Sequence, residues 1–193
     1  INASFEIDGI PAQYLRDAFS IDGYPIDGPL YGDIRLYGAY RRPFGFGRLR
    51  IGEGTAYGET FEQTDAGLRF EGDGVWLDGL TVAKGLGEVT GAMYVRWDGT
   101  YSVNADARNL DLMTSRVFDR PGAEVGGLLD FSISGVGAFD DPSYEIRGTM
   151  TDLSIEGAVV GQVTGRLDVG GTAMAVELEA ASPTLAVSGS GRI

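Results

Sequence analysis

A mainly β fold, built from repeated antiparallel strands with two short helices, is what this 193-residue sequence predicts. Three observations predict it. Apolar and polar residues alternate through most of the chain, the two-residue period of a half-buried strand. The 31 glycines fall singly between those runs, with no triplet period, and mark turns, bulges and places where a side chain must be absent. A succession of strand, helix and several strands also returns after roughly a hundred residues, which reads as an internal repeat of a β unit.

The first strand is short: Phe5 and Ile7 alternate with Glu6 and Asp8, and Gly9 closes it. Pro11 suits a first helical turn, and Ile10, Tyr14, Leu15, Ala18 and Phe19 follow at helical spacing, so a helix is expected over about 11–19. Asp22-Gly23 and Asp27-Gly28 then bracket a connector. The stretch GPLYGDIRLYGAYRRP, Gly28 to Pro43, puts Leu30, Ile34, Leu36 and Tyr40 on one parity and Tyr31, Asp33, Arg35, Tyr37 and Arg41 on the other, with Pro43 as its stop. Further strands are expected over 46–51, 55–61, 67–71, 74–82, 87–97 and 101–112, most separated by short turns carrying Gly, Asp or Asn. Asp98-Gly99 is the clearest two-residue turn.

Alternation stops at Met113, where a second short helix is expected over 113–119, capped by Thr114 or Ser115 and ended by Pro121-Gly122. Strands resume over 127–139, 144–150, 153–160, 162–169, 173–180 and 184–193. Gly126 to Pro142, GGLLDFSISGVGAFDDP, echoes Gly28 to Pro43: Leu129, Phe131 and Ile133 alternate with Asp130, Ser132 and Ser134. The repeats are therefore placed at 1–112 and 113–193. The chain opens on Ile1, and a processed protein or a fragment of a longer one is expected.

Composition narrows the chemistry. Fifteen Lys and Arg against 28 Asp and Glu give a net charge of -13, a field that repels nucleic acid. With no cysteine and no histidine, thiolate and imidazole catalysis and the commonest transition-metal ligands are excluded. What remains is carboxylates, Lys84, tyrosines or hard cations. Asp140-Asp141, Glu53, Glu59, Glu71 and Asp73 read as solvated residues at turns and strand ends. Gly72-Asp73-Gly74 and Asp78-Gly79 resemble the turns of calcium β-rolls but lack the nine-residue recurrence, so no metal is expected. Gly45, Gly47, Gly52 and Gly54 lack the helix and the Lys-Ser/Thr ending of a phosphate loop, so they punctuate strands, and no cofactor is expected. Arg41, Arg42, Arg48 and Arg50 form a basic cluster that either meets lipid head groups or pairs with neighbouring acids. No apolar run approaches the roughly 20 residues of a membrane helix.

About a dozen strands each show one apolar face, and two short helices cannot cover them. The sheet must fold on itself as a sandwich, close as a barrel, or curl into a trough whose apolar inside holds a ligand. The residues expected to line such a trough are Leu30, Ile34, Leu36, Leu49, Ile51, Leu68, Phe70, Met93, Val95, Val103, Phe131, Ile133, Ile146, Val163 and Leu167. In-facing Gly32, Gly38, Gly91 and Gly165 permit curvature.

The sequence resembles the TamB/AsmA-like family of bacterial envelope proteins. The resemblance is carried by PAQYLRDAF, by GPLYGDIRLYGAYRRPFGFGRLRI, by LRFEGDGVWLDGLTVAKGLGEVTGAMYVRWDGTYSV, and by DPSYEIRGTMTDLSIEGAVVGQVTGRLDVGG. It implies an open U-shaped groove, or β-taco, with an apolar lumen and no catalytic residues. It also implies a place in the periplasm of a Gram-negative-type bacterium, an inner-membrane anchor, and an Omp85-type outer-membrane barrel as partner through parts outside this chain. The expected function is that of a segment of a bridge-like protein carrying phospholipids by their acyl chains in outer-membrane biogenesis, not an enzyme. Two alternatives stand beside it: a chaperone-like scaffold that pairs its sheet edges with outer-membrane strands, and a β-sandwich adhesin or carbohydrate-binding module using Tyr31, Tyr37 and Trp76.

Overall fold

The computed structural model describes residues 1–14, 25–116, 124–181 and 186–192. Its strands are β1 (Asn2–Pro11), β2 (Ile26–Asp27), β3 (Pro29–Ala39), β4 (Arg42–Ile51), β5 (Gly54–Ala56), β6 (Glu59–Phe61), β7 (Gln63–Glu71) and β8 (Gly74–Lys84). They continue as β9 (Gly87–Arg96), β10 (Thr100–Asp111), β11 (Val125–Ala138), β12 (Ser143–Ile155), β13 (Ala158–Gly170), β14 (Ala173–Ala181) and β15 (Ala186–Arg192). The fold is mainly β, as the alternation predicts. Twelve strands form one antiparallel sheet in the order β1-β3-β4-β7-β8-β9-β10-β11-β12-β13-β14-β15, which does not close into a barrel, while β2, β5 and β6 form a small second sheet. The chain divides into two compact units, Ile1–Gly85 with Val89–Asp98, and Leu86–Glu88 with Gly99–Ile193.

Several boundaries differ from the sequence expectation. Pro43 does not stop a strand: it lies in β4 opposite Gly38, next to the Tyr40-Arg41 turn, where its missing N–H interrupts little of the ladder. Tyr40, expected on the apolar parity, is in that turn and 82% exposed. The strand expected over 55–61 splits at Tyr57-Gly58, both at positive φ, and leaves the main sheet. The strand expected over 144–150 and the start of that expected over 153–160 are one strand, β12, that bulges between Met150 and Leu153, while residues 158–160 open β13. The turn falls instead at Glu156-Gly157, with φ of 53 and 75, the two positive angles of a tight hairpin turn. The helix expected over 113–119 is replaced, within the described residues, by a single 3-10 turn, Leu112–Thr114, because the Asp111 carboxylate caps Met113 N–H at 2.9 Å and Ser115 leaves the helical region at once. Residues 117–119 lie outside the described residues, as does most of the helix expected over 11–19, and Pro11 ends β1.

One irregularity occurs in both units. Between β1 and β3, Ile7 pairs with Gly32 and the next pair is Ile10 with Leu30, with Gly9 at φ 65. Between β10 and β11, Ala107 pairs with Phe131 and the next pair is Leu110 with Leu129, with Asn109 at φ 53. Each is a bulge whose extra residues include one in the left-handed region, which Gly and Asn tolerate best. The Asp130 carboxylate holds the bulge in the second unit, accepting from Asn109 N–H at 2.7 Å.

Candidate functional site

The apolar parities line up across strands into continuous rows. In the first unit, Phe5, Ile34, Gly47, Leu68 and Leu77 form one row, and Ala3, Leu36, Gly45, Phe70 and Val75 the next. Leu30 pairs with Ile51, and Leu49 lies between Gly32 and Ala66. The glycines are the narrow points of these rows. A Cβ on Gly47 would lie 2.3 Å from the Asp33 carbonyl oxygen, and one on Gly45 would lie 2.0 Å from that of Arg35. No side chain fits there, so β3 and β4 approach more closely on the apolar side than any other residue would permit. Phe70 stacks on Trp97 with ring centroids 6.3 Å apart.

In the second unit Ala105, Ile133, Ile146, Leu167 and Val176 share a row. Val103 lies in a row with Gly135, Tyr144, Val169 and Met174, and Val163 in one with Leu129, Met150 and Ala180. Phe131 belongs to a row of small residues: Ala107, Phe131, Gly148, Gly165, Leu178 and Gly189.

All fifteen residues expected to line a trough therefore lie on strands, and thirteen fall into these registered rows; Met93 and Val95 lie on β9 and are half-buried. Only Leu30 among them is fully buried, and the other fourteen keep part of their surface in contact with solvent. Among the described residues the only elements outside the large sheet are the three short strands β2, β5 and β6 and the 3-10 turn. Among the described residues the buried apolar side chains are Ala12, Leu30, Phe61, Ala66, Tyr101, Ala107, Leu112, Leu153 and Val169, of which Phe61 lies in the small sheet and Leu112 in the 3-10 turn, and no polar residue is buried. Sequence reasoning missed Leu77, Leu129, Met150 and Leu178, whose parity was visible but whose membership in these rows needed the register.

The polar face is an ion-pair lattice. Arg50 meets Asp65 at 2.8 Å, Arg69 reaches Asp78 at 3.1 Å and also Glu71, and Arg69 lies over the Trp76 ring. Arg147 and Arg166 stand directly opposite each other on β12 and β13, and Glu145 lies 2.6 Å from each, offsetting their repulsion. Asp168 hydrogen-bonds Arg166 and holds its pKa above the ordinary value. A concavity of about 850 Å³ on the second unit is lined by residues of the polar parity, including Asp106, Arg147, Thr149, Thr164, Arg166, Glu177 and Glu179, and by Ala107, Phe131, Gly148, Gly165, Leu178 and Gly189 of the row between. Phe131 is the one expected trough residue that lines it.

The remaining chemical candidates are occupied or dispersed. Lys84, half-buried, is paired with Glu59. Glu71 accepts from Trp76 Nε1 at 3.0 Å, and Asp73 from the Tyr94 hydroxyl at 2.8 Å, which lowers the Asp73 pKa and raises that of Tyr94. Asp140 and Asp141 are exposed in the turn after β11. Among the described residues no group of three or more carboxylates is placed to hold a metal ion. The described residues therefore present an apolar sheet face that is largely half-buried and a polar face on which some of the arginines and carboxylates are paired. No known protein family, no curated protein and no solved structure matches the chain.

Proposed function

We propose that this chain is a segment of a bridge-like protein that carries phospholipids, their acyl chains lying against the apolar face of the large sheet. The observation that supports the reading is the state of that face: rows of Ile, Leu, Val, Phe and Met that are mostly half-buried, with no helix or large second sheet over them among the described residues. A sheet with one apolar face is normally covered by helices or another sheet. Acyl chains supply the same cover, at about 0.8 kcal/mol for each methylene taken out of water. Head groups would stay at the solvent boundary, so no single residue is decisive and no catalytic group is needed. The periplasmic setting and an Omp85-type partner are proposals that rest on the TamB/AsmA-like resemblance of the sequence.

Organic extraction of the purified chain, followed by mass spectrometry, is expected to recover phospholipid. Placing aspartate at Ile34 and Phe131 should then abolish lipid recovery and transfer between vesicles while the far-ultraviolet circular dichroism stays that of a β protein. Undiminished transfer by a folded double variant would sink the proposal. A second reading uses the sheet edges: β1 and β15 each have one neighbour in the sheet, which leaves backbone groups for an added strand. Photo-crosslinkers at Ile34 and Phe131 separate the two, since lipid adducts support the first and adducts to unfolded barrel strands the second.

A further inference from the structure

We propose that the hairpin formed by β3 and β4 docks on an anionic lipid surface through exposed arginines and exposed aromatic rings. Residues 34–52 contain Arg35, Arg41, Arg42, Arg48 and Arg50 and no acid, in a chain whose net charge is -13. The register then decides which of these charges remain available. Arg50 is held by Asp65, and Arg42 lies within the field of Asp73. Arg35, Arg41 and Arg48 are exposed and have no salt bridge or side-chain hydrogen bond to any described residue. Asp33 stands opposite Arg48 without forming a pair, and Glu71 is already committed to Arg69 and Trp76.

Three of the aromatic rings, those of Tyr37, Phe44 and Phe46, lie on the same polar parity. Tyr37 faces Phe44 across the hairpin, Phe46 faces Arg35, and Tyr40 occupies the turn. They are 52%, 47%, 57% and 82% exposed, a density of apolar surface that a polar sheet face does not need for folding. Arginines beside Tyr and Phe suit the boundary of an anionic bilayer, where guanidinium groups meet phosphate and the rings settle among the head groups. The rest of the acidic chain repels such a surface, so the gathering of positive charge on one hairpin fixes which part approaches it. Nucleic acid and glycans fit less well. Tyr37 and Phe44 stack on each other, centroids 6.3 Å apart, so each already spends one ring face that a base or sugar would use.

The inference is independent of the lipid-carrying face, and the experiment separates them. The full 193-residue chain is floated with vesicles of phosphatidylglycerol and phosphatidylcholine, and with vesicles of phosphatidylcholine alone. Binding to the anionic vesicles, lost at high salt and absent with the neutral ones, is the expected result. The triple variant Arg35→Ser/Arg41→Ser/Arg48→Ser should bind about a hundredfold more weakly, at about fivefold per arginine. The corresponding three lysine substitutions should retain binding, and Tyr40→Ser/Phe46→Ser should weaken it. None of the three arginines has a partner among the described residues, so urea unfolding should be unchanged. The Ile34→Asp/Phe131→Asp variant should still bind vesicles. Equal binding to neutral vesicles, full binding by the triple serine variant, loss of binding in the apolar-face variant, or binding of a soluble polyuronate in place of vesicles would each overturn the proposal.

Discussion

Two leucines of the second unit test whether the apolar face is open. Leu112, in the 3-10 turn, is 2% exposed, whereas Leu178 on β14 is 47% exposed. Truncation to alanine removes the equivalent of about three methylene groups, or about 2.4 kcal/mol when the side chain is fully buried. For Leu112 a cavity penalty adds to this, and a loss of about 3–4 kcal/mol is expected. For Leu178 about half the transfer term survives, roughly 1.2 kcal/mol, and no cavity forms at an open surface. Urea unfolding followed by far-ultraviolet circular dichroism measures both. The comparison is then repeated with phospholipid present. Lipid that covers the face should raise the cost of Leu178→Ala towards that of a buried leucine and leave the cost of Leu112→Ala where it was. Equal costs in the absence of lipid would mean that the face is sealed, and the case for an exposed lipid surface would fail.

Two further perturbations probe the devices that shape and decorate the sheet. Gly47→Val places a Cβ 2.3 Å from the Asp33 carbonyl oxygen, so β3 and β4 must separate; a loss of about 1–3 kcal/mol is expected by urea unfolding, and a neutral outcome would remove the close approach from the account of the fold. Asp73, with its pKa lowered chiefly by the Tyr94 hydroxyl, contributes stability above its unfolded pKa and loses it as pH falls through the lower folded value. A carboxyl titration by nuclear magnetic resonance should show the midpoint of Asp73 rise in Tyr94→Phe, and an unchanged midpoint would remove the hydroxyl as its cause.

Much of the fold was legible because alternation is a local signal. Leu30, Ile34 and Leu36 announce one face of β3, and Phe131 and Ile133 one face of β11, without any knowledge of neighbours. Asp98-Gly99 was likewise readable, and Gly99 takes a φ of 85. That the fifteen residues expected to line a trough lie on strands was legible for the same reason. Leu178 and Met150 were not, since nothing local says that they extend rows begun on other strands. The stop in alternation at Met113 misled over 113–116, where the Asp111 cap and the extended Ser115 confine the described backbone to one turn. The notion of a strand over 55–61 failed because Tyr57 and Gly58 both take positive φ, a turn signal that Tyr hides.

By itself the sequence determined the class of fold, the parity of most strands, the absence of imidazole and thiol chemistry, and the concentration of arginine between residues 34 and 52. Those properties depend on composition and on neighbours one or two positions away. Tertiary structure alone decided the register of the twelve strands, the bulges at Gly9 and Asn109, the exclusion of β5 and β6 from the large sheet, and which arginines find a carboxylate. Arg50 and Arg48 show the reason. They lie two residues apart on one strand and face, yet only Arg50 forms a salt bridge, and that depends on Asp65 in β7, which the chain reaches only after leaving the sheet and returning.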